Sequence, residues 1–259
     1  MNMKREWNIL DYVQNPPFPS EIVSPHDQAK MVLVSAGEFT LGIDERELMQ
    51  IFALDGKKNP VFMTEVPSRK VFVNDYYIDV YPVTNARYAK FIEETGHRKP
   101  PLWGKEGWDD PLQPVVELGW DDARAYAAWV GKTLPKEEQW EKAARGTDRR
   151  WWPWGNDFYS GYVNSGELQI GRTTDVKRFP KGISPYGCYD MSGNVWEMCE
   201  GSWIDNMPLM RGGCFLGRAT FVRTTVRWSP EDSVNGAHWL GFRCLKEVPK
   251  REGNSPERV

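Results

Sequence analysis

Apolar residues fall in short runs broken by turn formers over the first third of the chain. MVLVSAGEFTLG, from Met31 to Gly42, sets two apolar stretches around Ser-Ala-Gly and predicts a hairpin. Residues 44–68 are polar and irregular, which predicts a loop with one helical turn around Glu45–Phe52. RKVFVNDYYIDVY, from Arg69 to Tyr81, is rich in strand formers and predicts a strand or hairpin. A helical period follows. Tyr88, Phe91 and Ile92 share one face, with Thr84 as N-cap and Gly96 as the stop. Residues 97–118 hold four prolines and two tryptophans, so a long excursion is expected there. A second helix is expected from Asp121 or Asp122 to Val130, with Tyr126 and Trp129 facing inward and Gly131 ending it. A third starts near Pro135, buries Trp140, Ala143 and Ala144, places Lys142 and Arg145 late and stops at Gly146. Beyond Gly146 only short β-like pieces between Gly and Pro are visible, with no repeat. The pattern reads as one α+β domain, helical in its first half and irregular in its second.

Composition sharpens this picture. Thirteen Trp, 10 Tyr and 11 Phe accompany 23 Gly and 19 Pro, which suits loops pinned by large rings. Residues 1–30 are polar and Pro-interrupted and read as an N-terminal arm. The domain is expected over 31–248, with a polar tail at 249–259. A net charge of −3 leaves no nucleic-acid footprint, and no apolar run is long enough for membrane insertion. The start carries no apolar leader core, so a cytoplasmic protein is expected as the chain stands, with surface display left open. Cys188, Cys199, Cys214 and Cys244 form no CxxC pair, and only three His accompany them. Reduced, buried thiols are expected rather than a soft-metal site.

The stretch from Arg211 to Arg243 is chemically unusual. Read as a strand to Phe221, it puts Gly213, Phe215, Gly217, Ala219 and Phe221 on one side. Cys214, Leu216, Arg218 and Thr220 fall on the other. Trp228, Ser229, Asn235, Ala237, His238 and Trp239 follow before the GFRC end. Trp, Arg and His shown together are the residues binding hot spots use; the plainer reading buries Trp228 and Trp239 in the core.

Six motifs stand in order: VPSRKVFVNDYYIDVYPVTNARYAKFI, LGWDDARAYAAWVGKTLPKEEQWEKAARG, WPWGN, YGCYDMSGNVWEM, RGG and LGFRC. Together they resemble the formylglycine-generating enzyme, or sulfatase-modifying factor, family across Met31–Lys246. The resemblance implies an irregular α+β fold of the C-type lectin type. Active members oxidise a client cysteine with copper, oxygen and a cysteine pair. The positions of that pair correspond to Gly217 and Val222, which carry no thiol, so no copper is expected. The iron-dependent sulfoxide synthases share the domain but take their iron histidines from an additional helical one; His26, His97 and His238 are scattered here.

The family's calcium segment matches YDMSGNVWE. It implies a structural Ca²⁺ held by Asp190 and Glu197 through carboxylates and by Gly193 and Val195 through carbonyls. The alternative is that Asp190 caps a turn and Glu197 pairs with an arginine. A second calcium site would begin near Asn164 and is expected to be missing. The layout from RGG to GFR also resembles the variable proteins of diversity-generating retroelements, which vary residues there to bind different ligands.

Two functions follow. The first is a non-catalytic protein, monomeric, binding a protein or other macromolecular ligand through the face that carries Leu216, Arg218, Thr220, Trp228, His238 and Trp239. The second is an oxidoreductase of altered chemistry acting on a protein cysteine through Cys214, activated by Arg211 and Arg218. Sugar binding of the lectin kind lacks its calcium triplets; Gln113-Pro114-Val115 is only superficially like one.

Overall fold

The computed structural model describes residues 18–202, 208–229 and 236–248. Strands β1 (Glu21–Val23), β2 (Lys30–Val34), β5 (Tyr76–Asp79) and β10 (Leu245–Glu247) form one antiparallel sheet in the order β1-β2-β5-β10. β3 (Gly37–Leu41) and β4 (Arg69–Val73) form a second, antiparallel. The third is β8-β7-β6-β9, built from β6 (Trp196–Ser202), β7 (Pro208–Arg211), β8 (Arg227–Trp228) and β9 (Leu240–Gly241). Its β6–β9 pair is parallel.

The helices carry the stops the sequence announces. α1 (Glu45–Asp55) begins with a reciprocal capping box, Asp44 accepting from Glu47 N–H at 2.9 Å and Glu47 from Asp44 N–H at 3.1 Å. It ends on left-handed Gly56. α2 (Pro60–Met63) is one short turn. α3 (Asn85–Thr95) starts at Thr84 and stops at Gly96 as expected. α4 (Trp120–Trp129) starts one residue earlier than the acidic pair suggests. α5 (Glu137–Arg145) runs to Gly146 and buries Trp140, Ala143 and Ala144 completely. Past Gly146 only single 3₁₀ turns occur among the described residues, at Ser160–Tyr162, Gly166–Leu168 and Ala219–Phe221.

The hairpin expected at 31–42 does not form, and 69–81 is two strands that do not pair with each other. β2 and β3 lie in different sheets, and so do β4 and β5. Both crossings are held by long-range polar contacts. Lys142 Nζ donates to Ser35 O at 2.6 Å and Gly37 O at 3.0 Å, wedging β2 from β3. Asp75 accepts from Ala36 N–H at 2.7 Å, locking the two crossings together. Alternation sets each strand's buried face but says nothing of its partner. Residues 44–68 also hold more helix than one turn, because the capping box lets α1 continue to Asp55.

The boundary at residue 31 moves. β1 pairs with β2 from Glu21, and Asp27 is buried. Asp27 and Asp79 face Arg87 and Lys132 in a sealed cluster, with Lys132 Nζ 3.1 Å from Asp27 and 2.9 Å from Asp79. Tyr126 O–H also donates to Asp27 at 2.9 Å. The two cations hold the Asp27 carboxyl well below its usual range against the cost of burial. Residues 21–30 are therefore a paired strand and turn of the domain, with Ser24, Asp27 and Ala29 buried, rather than an arm.

Candidate functional site

The two ends of the 211–243 stretch are anchored by buried arginines. Arg211 is clamped by Glu141 and Glu137 and donates to Thr225 O at 2.9 Å. Arg243 makes a two-pronged contact with Glu197, 2.6 Å at Nε and 2.7 Å at Nη2. It also donates to the carbonyls of Asp79, Val80 and Tyr189. These pairs are dry, with both side chains near zero exposure. They hold the frame from both sides.

Between the anchors the chain is not a strand. β7 ends at Arg211, and Gly212 and Gly213 adopt φ of 93° and 72°, open only to glycine without strain. A Cβ on Gly213 would collide with the Phe221 carbonyl. That close approach folds 213–222 into a tight loop ending in the Ala219–Phe221 turn. Gly217 N–H closes the loop on Cys214 O at 2.8 Å, and Gly217 O accepts from Gly166 N–H at 2.8 Å. A Cβ on Gly217 would stand 3.2 Å from Val222 Cγ1. The two positions where the family resemblance places thiols are thus side by side, and neither holds a donor atom.

Beside them opens a pocket of about 370 Å³ lined by Trp196, Cys214, Leu216, Gly217, Arg218, Phe221, Trp228 and Trp239. Trp228 stacks on Trp239 with ring centroids 5.5 Å apart and meets Trp196 at the same distance. The pocket collects five of the ten display residues: Cys214, Leu216, Arg218, Trp228 and Trp239. The other five separate from it. Thr220 is buried and donates to Asp55 at 2.5 Å, because the 3₁₀ turn points it inward. His238 lies 4.0 Å from Glu117 and 5.8 Å, ring to ring, from Trp108, off the pocket wall. Ala237 and Ser229 are half-buried and do not line it. Asn235 lies outside the described residues. Sequence reasoning missed Trp196 and Phe221 as wall residues and Asp55 as the partner that holds Arg218 and Thr220. Trp196 had a signal, since it stands inside the GNVWE motif.

Cys214 is not set up as a nucleophile. Its side chain is buried, and desolvation pushes the thiol up to about 11. Arg211 is committed to Glu141 and Glu137, and Arg218 to Asp55, 3.1 Å away, so neither activates it. One buried thiol next to Gly217 and Val222 does not fit copper, which calls for a soft pair. All four cysteines are free and buried.

The calcium set does not fit either. Both Glu197 oxygens are taken by Arg243, and Trp140 Nε1 donates to Oε2 at 2.7 Å. The guanidinium already supplies the positive charge a cation would bring. Asp190 accepts from Asn194 Nδ2 at 2.9 Å, and burial raises its carboxyl to about 7. Gly193 and Val195 supply at most backbone oxygens to a place whose glutamate is engaged. Among the described residues no group of three or more His, Cys, Asp or Glu could hold a metal.

Three small sheets, short capped helices and a long irregular second half define an α+β fold of the C-type lectin type. Treponema denticola variable protein 1 shares it, with a TM-score of 0.63 at 17% identity over 87% of this chain and 98% of that one. Within that class the chain belongs to the sulfatase-modifying factor enzyme 1-like domain family, whose model matches residues 19–248. The formylglycine-generating enzyme of Thermomonospora curvata is 32% identical, covering 86% of this chain and 96% of the relative. A Bos taurus relative named inactive C-alpha-formylglycine-generating enzyme 2 is 29% identical, covering 86% and 90%. Among the described residues no helix is long and apolar enough to cross a membrane.

Proposed function

We propose that this protein is a non-catalytic ligand-binding member of its family. The observation that carries the reading is the pairing of Gly217 with Val222 beside an aromatic pocket of about 370 Å³. The scaffold that positions a reaction is kept, the reactive atoms are absent, and the space next to them is lined by three indoles and Phe221. Large rings with one arginine are the side chains that hot spots favour. A partner protein or other macromolecule places an apolar group there. The bovine relative named inactive supports a family member without catalysis, and the fold shared with a variable protein is compatible with a display role. Presentation of loop residues that differ between copies, as in retroelement variable proteins, is part of the same proposal.

The test is an oxygen-uptake assay with the copper-treated protein and a cysteine-containing peptide. No uptake above the peptide-plus-copper control is expected. Stoichiometric conversion of the cysteine would overturn the proposal.

A further inference from the structure

The side-chain nitrogens of the pocket wall are all donors. Arg218 is gripped by Asp55 along one edge, Nε at 3.1 Å and Nη2 at 3.3 Å, and its Nη1 has no partner among the described residues. Its side chain is 50% exposed, so this free edge stands at the pocket rim. The indole N–H groups of Trp196, Trp228 and Trp239 also lack a hydrogen-bond partner among the described residues. No carboxylate or hydroxyl lines the wall. The carbonyls of Cys214 and Gly217 are already accepting. Asp55 is buried behind Arg218, outside the lining, and is further occupied by Thr220. An aromatic cage of this kind without an acid does not favour a cation, because the guanidinium repels it.

Resting on the binding role above, we propose that the pocket selects a flat aromatic group that carries a carboxylate. The ring fills the space between the indoles and Leu216, and the carboxylate accepts from Nη1 of Arg218. Asp55 holds the fork in place, so little side-chain freedom is lost on binding. A volume of about 370 Å³ suits one bicyclic ring with its acid arm. Two sources supply this chemistry, a free aromatic acid and the C-terminal residue of a partner chain.

Isothermal titration with 1-naphthylacetate, 1-naphthylacetamide and 1-naphthylmethylamine tests the charge preference on one ring. The acid is expected to bind about tenfold or more tighter than the amide, the size of a charge-assisted hydrogen bond. The amine is expected to bind weakest. Arg218→Gln brings the acid down to the amide, while Arg218→Lys keeps part of the preference. Thermal melting of both variants checks that the fold persists. Acetyl-Ala-Ala-Trp with a free or amidated C-terminus separates the two sources. A stronger response to the free peptide than to the naphthyl acid favours a chain end, and the reverse a small molecule. Equal binding of acid and amide, with both lost in Trp228→Ala, overturns acid selection and leaves the binding role standing. Failure of all three naphthyl probes and the peptides at millimolar concentration overturns the inference. Copper-dependent oxidation of a cysteine peptide would instead overturn the binding role itself.

Discussion

Replacing Arg243 by Met isolates one of the two electrostatic anchors of the site. The guanidinium is fully buried, faces Glu197 through two hydrogen bonds and satisfies three carbonyls. Met fills much of the same volume, so the loss is mainly of charge and donors. Leaving Glu197 dry and unpaired costs about 3–5 kcal/mol, the range for breaking one side of a buried pair. The carbonyls of Asp79 and Tyr189 lose a donor as well, which pushes the value toward the upper end, while Val80 O keeps the Tyr189 N–H at 2.8 Å. At this chain length each kcal/mol moves the melting point by about 2–4 °C, so a fall of roughly 6–20 °C is expected. Urea unfolding followed by circular dichroism gives the free energy directly. The double variant Arg243→Met, Glu197→Met removes the stranded charge and is expected to be more stable than Arg243→Met alone. A cost below about 1 kcal/mol, or a double variant no better than the single, would refute the argument. Millimolar Ca²⁺ or a chelator should leave wild-type melting unchanged; a clear shift would show that oxygen ligands other than this occupied carboxylate bind the ion.

Asp190→Asn should flatten the pH dependence of stability. The folded carboxyl titrates near 7 against 3.8 unfolded. The native state therefore binds the proton more tightly, and Asp190 lowers stability as pH rises from about 4 to 7. Asn tolerates the φ of 53° there, so the variant should be more stable than wild type at pH 8 by urea unfolding. Cys214, with its thiol near 11 and its side chain enclosed, should resist iodoacetamide in the native protein at pH 7.5, and mass spectrometry reads the adduct. Gly217→Cys together with Val222→Cys should create a Cu(I) site, measured by competition with a chromogenic chelator, whereas either single change should bind far more weakly. Binding by both singles as tight as by the double would show that these positions do not face each other.

The helices were legible because their signals are local. Thr84, Gly96, Gly131 and Gly146 act within a turn of where they stand, and the structure keeps them in place. Strand partners were not legible, because the contacts that choose them come from far away in the chain. Lys142 at Ser35 and Asp75 at Ala36 are examples. The motif order located the site, and the adjacency of Gly217 and Val222 follows from it. What faces the pocket did not follow, since a period-two reading assumes a strand that Gly212 and Gly213 break. Thr220 turns inward for that reason. The pairing of Glu197 with Arg243 was visible only as one of two options, because charge partners 46 residues apart need the fold to meet.

The position of β10 has a consequence for how the molecule is made. Leu245–Glu247 pairs with β5, laid down some 170 residues earlier, and Leu245 also exchanges hydrogen bonds with Thr133. Arg243 reaches the core just before it. A nascent chain that has emerged only as far as the pocket loop still lacks the strand that completes the first sheet. It also lacks the cation that neutralises Glu197. Such late, distant closure makes assembly slow relative to local helix formation. Until Glu247 leaves the ribosome, the open edge of β5 is a place where a folding chaperone, or a neighbouring nascent chain, could bind.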